Sequence, residues 1–586
     1  MDTFFGTLRF MLAKPNKIHM IWCGVLLLTM FILAILHHRW RDYTDKMKRW
    51  KELCVIPFLI TFIHYLIYVA GASDFLANYT PMYLIALLAF IPMLCAEQEK
   101  GYRIFAPLTG VFSVIFAVHF CLSSVSMHNF SRKSYTDSFH ALVEEMDRSY
   151  VLKEWKGIDF SELEEKYMPM VEKAEREKDP AGFADAVTAF CNELHDGHVM
   201  VYTDKEYHSA HELHDYGLSM VRLDNGEVIA VCTDESVNKL GIEDGTVITK
   251  WNGKPVLKAA VEDVPDSGQP VKATEERIAL FDLSATGGDT VQVTFIDSSG
   301  NEKTKVLPQL ENEHTLDDAY SAFTQMPESI KTLLSENYTA KMLDDKCVYL
   351  KLSAETTGSS LRDDLCFYTG ESKWAKKMFR TKLRSLREQG MEYLVIDLRN
   401  NMGGTGAIGY ALCELLTDED MYASGLGIRR NGSYSRLNEY RIHGDGEFSD
   451  LEVVALTNYE CISAGDSTAL CLSKLPNVTL AGITDPSGSG QLTGGICELT
   501  KGIVSVSFPI GLTLNEDGEP DIDTRSDRIS RNPAEVRIPL DYNAAMKIFR
   551  NKEDHELDWA VEYLEGNNSS SPSSSALTEN EAVPES

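Results

Sequence analysis

Four long apolar stretches occupy the first fifth of the chain and restrict what it can fold into. They run over Ile18–Leu36, Val55–Ser73, Asn78–Ala96 and Ile104–Met127, and each carries almost no charge. A helix of about 17–25 predominantly apolar residues crosses the hydrocarbon core of a bilayer. A soluble protein rarely buries four such helices in succession, and a cleaved signal peptide supplies only one. The sequence therefore predicts four transmembrane helices within residues 1–127.

The loops between these stretches predict the orientation of the chain. The first loop holds six Lys and Arg residues from Arg39 to Lys51, the second holds none, and the third holds two. Loops rich in Lys and Arg remain cytoplasmic. The large C-terminal part is therefore expected on the extracytoplasmic side of a multi-pass cell-membrane protein, although three basic residues before the first stretch favour the reverse. Four helices exceed what an anchor in the lipid bilayer needs, which leaves room for contact with another membrane protein.

Charge and cysteine usage exclude several classes of partner and cofactor. The formal net charge is −31, and nucleic-acid binding needs clustered positive charge. The twelve cysteines form no CxxC pair and no regular spacing, so neither a zinc site nor a disulfide framework is indicated. His195 and His198 flank Asp196, but no HExxH motif accompanies them. We expect no nucleic acid, no metal and no organic cofactor.

The rest of the chain divides into five segments, so that the predicted fold class is a multi-domain α+β chain. Residues 128–205 have apolar residues at helical spacing, and residues 206–311 are short β runs with glycine turns. A helical connector, 312–345, precedes residues 346–566, whose alternating strands and helices are typical of βαβ units around a largely parallel sheet. The Ser-rich tail, 567–586, has too little apolar material to fold.

The β-rich segment resembles a PDZ domain. The tetrapeptide Tyr216-Gly217-Leu218-Ser219 occupies the place of the carboxylate-binding loop, and the stretch GIEDG followed by Asn252-Gly253 matches the turn and hairpin after it. PDZ domains add a peptide as a strand and hold its C-terminal carboxylate on backbone N–H groups. The resemblance implies that these four residues bind a peptide or protein substrate near its C-terminus.

Three short segments at the ends of predicted strands carry the candidate chemistry. They are ELHDGHVMV with His198, VIDLRNNMGGTG with Gly403 and Gly404, and TNYECISAGDSTAL with Ser463. In this order, and with a PDZ-like segment between the first two, they resemble the C-terminal processing (tail-specific) and tricorn-type serine peptidases over about residues 138–564. The resemblance implies a membrane-anchored serine endopeptidase with an α/β peptidase core and Ser463 as its nucleophile.

Ser463 also has a plain structural explanation. Ser463 and Asp466 fit a capping box, in which a hydroxyl and a carboxylate accept from backbone N–H groups at the start of a helix. For catalysis, a serine hydroxyl instead needs a base within hydrogen-bond reach. At a helix start the exposed N–H groups also lie where an oxyanion would form. By similarity to the family, the amides of Ala464 and of Gly403 or Gly404 would form the oxyanion hole.

The base is where the chain departs from one branch of this family. In the C-terminal processing branch a lysine follows the serine in a T-x-G-K-G-x-x-Q pattern, but here Ser487 takes its place in TDPSGSGQ. The tricorn branch uses a histidine, and His198 falls on that position. A histidine accepts a proton near neutral pH. That branch also has a serine directly before the histidine, where this chain has Gly197.

An acid should orient the imidazole in such a triad. The family places it some sixty residues after the serine, where Asp527 fits best and Asp523 and Glu519 compete. Lys474 could act as the base only if the fold departs from that of the family. Cys461 lies two residues before Ser463 and is more simply explained as a buried thiol than as a nucleophile. Loss of the lysine and of the preceding serine leaves a second class open, a catalytically inactive membrane-tethered peptide-binding or sensor protein.

Overall fold

The computed structural model describes residues 17–40, 42–68, 83, 111, 126–203, 214–264, 268, 276–310, 315–327, 329–522 and 532–566. Its helices are α1 (Lys17–Trp40), α2 (Thr44–Leu53), α3 (Val55–Tyr68), α4 (Tyr135–Ser149), α5 (Lys153–Lys156), α6 (Phe160–Glu177), α7 (Pro180–Asn192), α8 (Glu235–Asn238), α9 (Val256–Glu262), α10 (Glu276–Ser284), α11 (Thr315–Thr324), α12 (Ile330–Ser335), α13 (Ser360–Thr369), α14 (Lys373–Arg387), α15 (Ala407–Leu416), α16 (Ala464–Ser473), α17 (Tyr542–Ala545) and α18 (His555–Leu564). A π-helical turn, Met546–Arg550, follows α17.

The strands are β1 (Ser126–Asn129), β2 (Met200–Thr203), β3 (Ser219–Arg222), β4 (Val228–Val231), β5 (Ile248–Trp251), β6 (Lys254–Pro255), β7 (Thr290–Ile296), β8 (Glu302–Pro308), β9 (Ala340–Met342), β10 (Cys347–Lys351), β11 (Tyr393–Asp397), β12 (Asp420–Arg430), β13 (Ser433–His443), β14 (Glu452–Leu456), β15 (Val478–Gly482), β16 (Gln491–Glu498), β17 (Val504–Leu514) and β18 (Val536–Arg537).

Two helices of the described part, rather than the four predicted, are long and apolar enough to cross a membrane. They are Ile21–Trp40, within α1, and Thr44–Ile67, which joins α2 to α3. The polar stretch that was predicted as a loop is thus partly helical in α2. The predicted third and fourth spans, residues 78–96 and 104–127, lie outside the described residues except for Tyr83, Val111 and the start of β1.

The C-terminal part is built around the predicted parallel sheet. Its strand order is β18-β15-β14-β11-β10-β9, and every neighbouring pair is parallel except β10 with β9. Apolar side chains of α14, α15 and α16 cover one face, and those of α11, α18 and the π-helical turn cover the other. A parallel sheet covered on both faces requires strands of nearly continuous apolar residues, as in YLVID and EVVAL. The prediction of a largely parallel sheet is confirmed.

A second sheet in the same region was not predicted. Its order is β1-β16-β17-β12-β13, with β2 also paired to β17. The lead-in segment, whose helical pattern was predicted to end in a strand-like stretch at Val199-Met200-Val201, contributes β2 to this sheet. The other contribution, β1, was not predicted and begins within the predicted fourth span. Helices α4, α6 and α7 pack their aromatic side chains on this sheet in a single apolar core. His198, just before β2, is carried into the C-terminal part by this pairing.

The PDZ-like segment forms a small apolar core of its own. It contains a hairpin of β3 and β4 and a four-stranded sheet of order β6-β5-β7-β8, with α9 and α10 packed against them. Tyr216, Leu218 and Trp251 lie in the interior of this core. The β-rich composition is confirmed, and the resemblance to a PDZ domain stays a prediction.

Arg399 ties the C-terminal helix to the end of β11. Its guanidinium, 1% exposed, donates to Asp397 at 2.9 Å, to Asp554 at 2.7 and 2.8 Å, and to Glu556 at 3.1 Å. Glu556 in turn accepts from the backbone N–H of Ile483, after β15. Burial alone would raise the pKa of Asp397, but the charge of Arg399 lowers it to about 2. One buried cation thus joins two strand ends and α18.

Replacing this cation should destabilise the fold strongly. Arg399→Met leaves buried carboxylates without their partner, and we expect the free energy of unfolding to fall by about 3–5 kcal/mol. The control is Arg441→Met, which removes a half-exposed guanidinium paired with Glu439 at 3.5 Å and should cost less than about 1 kcal/mol. Chemical denaturation of the detergent-solubilised chain measures both. Equal losses in the two variants would contradict a structural role for Arg399.

Candidate active site

Ser463 stands at a sharp turn from strand to helix. It follows β14 by seven residues and directly precedes α16, with φ 63° and ψ −122°. A residue with a Cβ atom adopts this backbone conformation only at a cost of about 1–3 kcal/mol. The turn is held because the N–H of Ser463 donates to the carbonyl of Ser489 at 2.8 Å. The Ser463 hydroxyl makes no capping hydrogen bond, so the capping-box interpretation is wrong.

The Gly403-Gly404 turn lies directly against Ser463. A Cβ atom on Gly403 would come within 2.5 Å of Ser463 Cβ, and one on Gly404 would come within 2.4 Å of the Glu355 carbonyl oxygen. Both glycines have positive φ, 76° and 134°. A side chain at position 403 would clash with Ser463, and one at position 404 would clash with the backbone of Glu355. These two positions therefore require glycine for close approach as well as for conformation.

Two backbone donors beside Ser463 are unoccupied and one is not. The N–H of Gly403 donates to Asn401 Oδ1 at 2.8 Å. The N–H groups of Gly404 and Ala464 make no hydrogen bond within the described part of the chain. Of the three predicted oxyanion donors, Gly404 and Ala464 thus remain available, and both residues line the same pocket.

This pocket opens beside the hydroxyl-bearing turn. It is lined by Ser463, Ser467, Gly404 and Ala464. The remaining wall is mostly apolar or small: Cys366, Phe367, Thr405, Gly406, Ala407, Tyr410, Ser424, Gly425, Leu426, Tyr440, Gly490, Gln491, Leu492 and Thr513. No charged side chain lines it among the residues that the structure describes. The pocket suits an uncharged segment of a ligand.

His198 lies in the interior near this turn, 6% exposed. Its Nδ1 is 2.7 Å from the hydroxyl oxygen of Ser489, and its backbone N–H donates to Asp196 Oδ1 at 2.9 Å. Burial lowers the pKa of His198, and the nearby charge of Asp196 offsets this only in part. The imidazole is therefore neutral at neutral pH, as a proton acceptor must be.

Ser489 is the residue that Ser463 and His198 share. Its carbonyl accepts from the N–H of Ser463, and its hydroxyl contacts the imidazole of His198. The hydroxyl of Ser463 makes no hydrogen bond to His198 within the described residues. The structure thus brings the predicted nucleophile and base to the same neighbour, but it does not join them directly. Sequence reasoning missed Ser489, although it singled out the TDPSGSGQ segment that contains it.

The predicted orienting acid is not among the groups beside His198 that the structure describes. Asp527 and Asp523 lie outside the described residues, and Glu519 is exposed in a turn after β17. The buried carboxylates nearby are instead Asp196 and Asp466, 4% and 0% exposed. Asp466 accepts from the N–H of Ser489 at 3.0 Å, and burial raises its pKa to about 7. The position of Asp196 in the D-G-H turn, two residues before His198, was the sequence feature that could have identified it as a carboxylate near the base.

The other weighed residues stand away from the pocket. Lys474 is the C-terminal cap of α16, the helix that Ser463 begins, and borders a different cavity. Cys461 is fully buried, and burial raises the pKa of its thiol well above the usual range, as for a structural cysteine. No group of three or more potential metal ligands occurs among the described residues.

The four residues predicted to bind a substrate C-terminus are buried in the PDZ-like core. The hydroxyl of Tyr216 donates to the Gly288 carbonyl at 2.7 Å, and the N–H of Gly217 donates to Asp215 at 2.7 Å. Leu218 is 1% exposed. Ser219 Oγ donates to the Thr315 carbonyl at 3.0 Å. The side chains of this loop therefore hold the loop itself and the start of α11.

Comparisons with known proteins agree with this architecture. Residues 367–526 match the family model of Peptidase family S41. The crystal structure of mature CPAF aligns with 75% of this chain and 98% of its own, at 15% identity and a TM-score of 0.50, and shows the same fold. The photosystem II D1 C-terminal processing protease (17% identity, 72% and 99% coverage, TM-score 0.32) and the tricorn protease (14%, 74% and 37%, 0.33) also align. No curated protein sequence matches the chain.

The strain at position 463 is directly measurable. Ser463→Gly should raise the free energy of unfolding by about 1 kcal/mol, because glycine adopts positive φ without the steric cost. Ser463→Ala keeps the Cβ atom and should give no such gain. Thermal unfolding of both variants beside the parent chain measures the difference. Equal stability of the Gly and Ala variants would show that the turn is not strained.

Proposed function

Because residues 367–526 belong to peptidase family S41, a serine-type peptidase family, we propose that the protein is a membrane-anchored serine endopeptidase. It hydrolyses peptide bonds of extracytoplasmic proteins or peptides. The observation that carries the proposal is the strained turn at Ser463, which presents a hydroxyl and the two unoccupied N–H groups of Gly404 and Ala464 to one pocket.

The proposed reaction assigns a role to each of these groups. Ser463 Oγ attacks the scissile carbonyl carbon while its proton passes to Nε2 of His198. The N–H groups of Gly404 and Ala464 donate to the oxyanion, and each such donor is worth about 10²–10³ in rate. The imidazolium then protonates the leaving amine, and water removes the acyl group from Ser463 by the reverse sequence. Gly403 positions this arrangement without donating, since its N–H is already bound to Asn401.

Two features support the membrane anchor and the side of the peptidase. The apolar helices Ile21–Trp40 and Thr44–Ile67 expose most of their surface, as helices in lipid do. The six Lys and Arg residues from Arg39 to Lys51, around the junction of these two helices, favour a cytoplasmic position for that junction. With the two further predicted spans, the peptidase part is extracytoplasmic, and its peptide substrates are found there.

The PDZ-like segment is proposed to hold the C-terminal stretch of the substrate. Binding would use backbone N–H groups of the loop at Leu218, because the side chains of Tyr216 and Ser219 are already engaged. The pocket beside Ser463 would then receive an uncharged residue at the scissile bond.

One observation favours the second candidate, an inactive peptide-binding or sensor protein. The hydroxyl of Ser463 and the imidazole of His198 are not hydrogen-bonded to each other in this structure. In many hydrolases the hydrogen bond between nucleophile and base tightens only when substrate binds. Covalent labelling of the serine separates the two candidates.

A fluorophosphonate probe should label the wild-type chain at Ser463. Ser463→Ala should abolish labelling, and His198→Ala should slow it by about 10²–10⁴-fold, since the base is lost. Lys474→Ala is the matched control and should label at the wild-type rate. A wild-type chain that binds peptides but is never labelled is the inactive binder. Loss of labelling in Lys474→Ala with retention in His198→Ala would remove His198 as the base.

The pH dependence of labelling should follow the burial of His198. The base works only when neutral, and because burial lowers the pKa of His198, the rate should fall off only below pH 6.5. Asp466 also titrates, with a pKa of about 7, so the profile is repeated in Asp466→Asn, which keeps an acceptor for the Ser489 N–H. The acid limb should stay below pH 6.5 in both. A limb at or above pH 6.5 in Asp466→Asn would contradict the assignment.

A further inference from the structure

A hydroxyl and an amide stand where a triad would place its acid. The hydroxyl of Ser489 lies 2.7 Å from His198 Nδ1 and donates to Gln491 Oε1, also at 2.7 Å. The Gln491 amide is held in one orientation because its Nε2 donates to the Ile522 carbonyl at 3.2 Å. A carbonyl oxygen only accepts, so the nitrogen of the amide must face Ile522 and the oxygen must face Ser489.

These hydrogen bonds determine the positions of the Ser489 hydroxyl proton and of the His198 ring proton. Ser489 donates its single hydroxyl proton to Gln491, so the hydroxyl oxygen of Ser489 can only accept a hydrogen bond from the imidazole. Nδ1 of His198 must then carry the ring proton, and Nε2 must carry the lone pair. A base that takes the proton of a serine needs this tautomer, which a carboxylate fixes in the usual triad.

We propose that Ser489 and Gln491 form a neutral relay that positions His198 and fixes its tautomer, in place of an orienting carboxylate. The inference rests on the proposed peptidase function and assigns the group that orients its base. Gly197, directly before His198, has no side chain for this task, and the relay comes from the start of β16 instead.

The backbone of Ser489 is fixed as firmly as its side chain. Its N–H donates to Asp466 at 3.0 Å, and its carbonyl accepts from the N–H of Ser463 at 2.8 Å. Ser489 is 2% exposed and does not line the substrate pocket. Asp196 lies 3.5 Å from its hydroxyl, at the limit of a hydrogen bond, and serves as the weaker acceptor. Ser489 thus holds the backbone turn at Ser463 and also contacts the imidazole of His198.

Substitution at position 489 tests the relay in the full-length, detergent-solubilised chain. Ser489→Ala should lower kcat for peptide hydrolysis by about 10- to 100-fold, as loss of an orienting partner does, with KM within about twofold. Ser489→Cys keeps the size of the side chain but accepts weakly, so it should also lower kcat, and it carries the test if the alanine variant does not fold. The matched control is Ser487→Ala in the same loop, at 3% exposure, which should keep the wild-type kcat.

A second readout does not depend on activity. In a chain with ¹⁵N-labelled histidine rings, assigned by His198→Ala, the neutral His198 should show a protonated Nδ1 and an unprotonated Nε2. Ser489→Ala should shift this ring toward the other tautomer, a change that loss of packing alone does not produce. Ser487→Ala should leave the ring signals in place.

The outcomes separate the relay from the peptidase itself. If Ser489→Ala and Ser489→Cys keep the wild-type kcat, or if wild-type His198 carries its proton on Nε2, the relay is overturned while the peptidase stands. If the wild-type chain neither cleaves peptides nor reacts with fluorophosphonate, the proposed function fails, and the nitrogen signals of His198 still decide the relay.

Discussion

The burial of one cation, Arg399, determines how the end of β11 is arranged. A fully buried guanidinium is stable only with partners that use most of its donors, and Asp397, Asp554 and Glu556 supply them. Two of these partners come from the start of α18, so the final form of the loop after β11 depends on the docking of the last helix. The last helix of the chain therefore packs against the loop that leads to Gly403 and Gly404.

The side chains after Arg399 carry this arrangement to the nucleophile turn. Asn400 takes φ 60° and exchanges hydrogen bonds with Asn458, which follows β14. The carbonyl of Asn401 accepts from the N–H of Ile462, and its side chain holds the N–H of Gly403. Two neighbouring strand ends are thus bonded to each other residue by residue. The parallel sheet brings these loops to one edge, and the asparagines fix their distance.

Sequence patterns predicted those structural features that depend only on residues close together in the chain. Continuous apolar runs such as YLVID predict a strand buried on both faces, and two adjacent glycines after it predict a close backbone approach. The sequence patterns could not show whether Gly403 or Gly404 is the oxyanion donor, because that depends on the position of Asn401 Oδ1, which accepts from the Gly403 N–H. They also allowed a capping box at Ser463, which only the backbone conformation there excludes.

Long-range pairing explains what the sequence could not reveal. His198 contacts Ser489, 291 residues further on, only because β2 joins β17 in a sheet that local patterns did not predict. The chain between those strands includes the PDZ-like segment, whose connector α11 is bonded at both ends. At its start Thr315 donates to Asp215, and the Thr315 carbonyl accepts from Ser219. At its end the Thr324 carbonyl accepts from the side chains of Asn400 and Asn458.

The connector is therefore a direct mechanical link between the predicted carboxylate loop and the loops that carry the oxyanion donors and the nucleophile. A helix of ten residues is about 15 Å long, so α11 spans the distance between these two sets of hydrogen bonds. Asn400 and Asn458 share the single carbonyl of Thr324, and moving that carbonyl changes the partners of both at once. The PDZ-like segment and the loops around Ser463 thus share α11 as a common hydrogen-bonded neighbour.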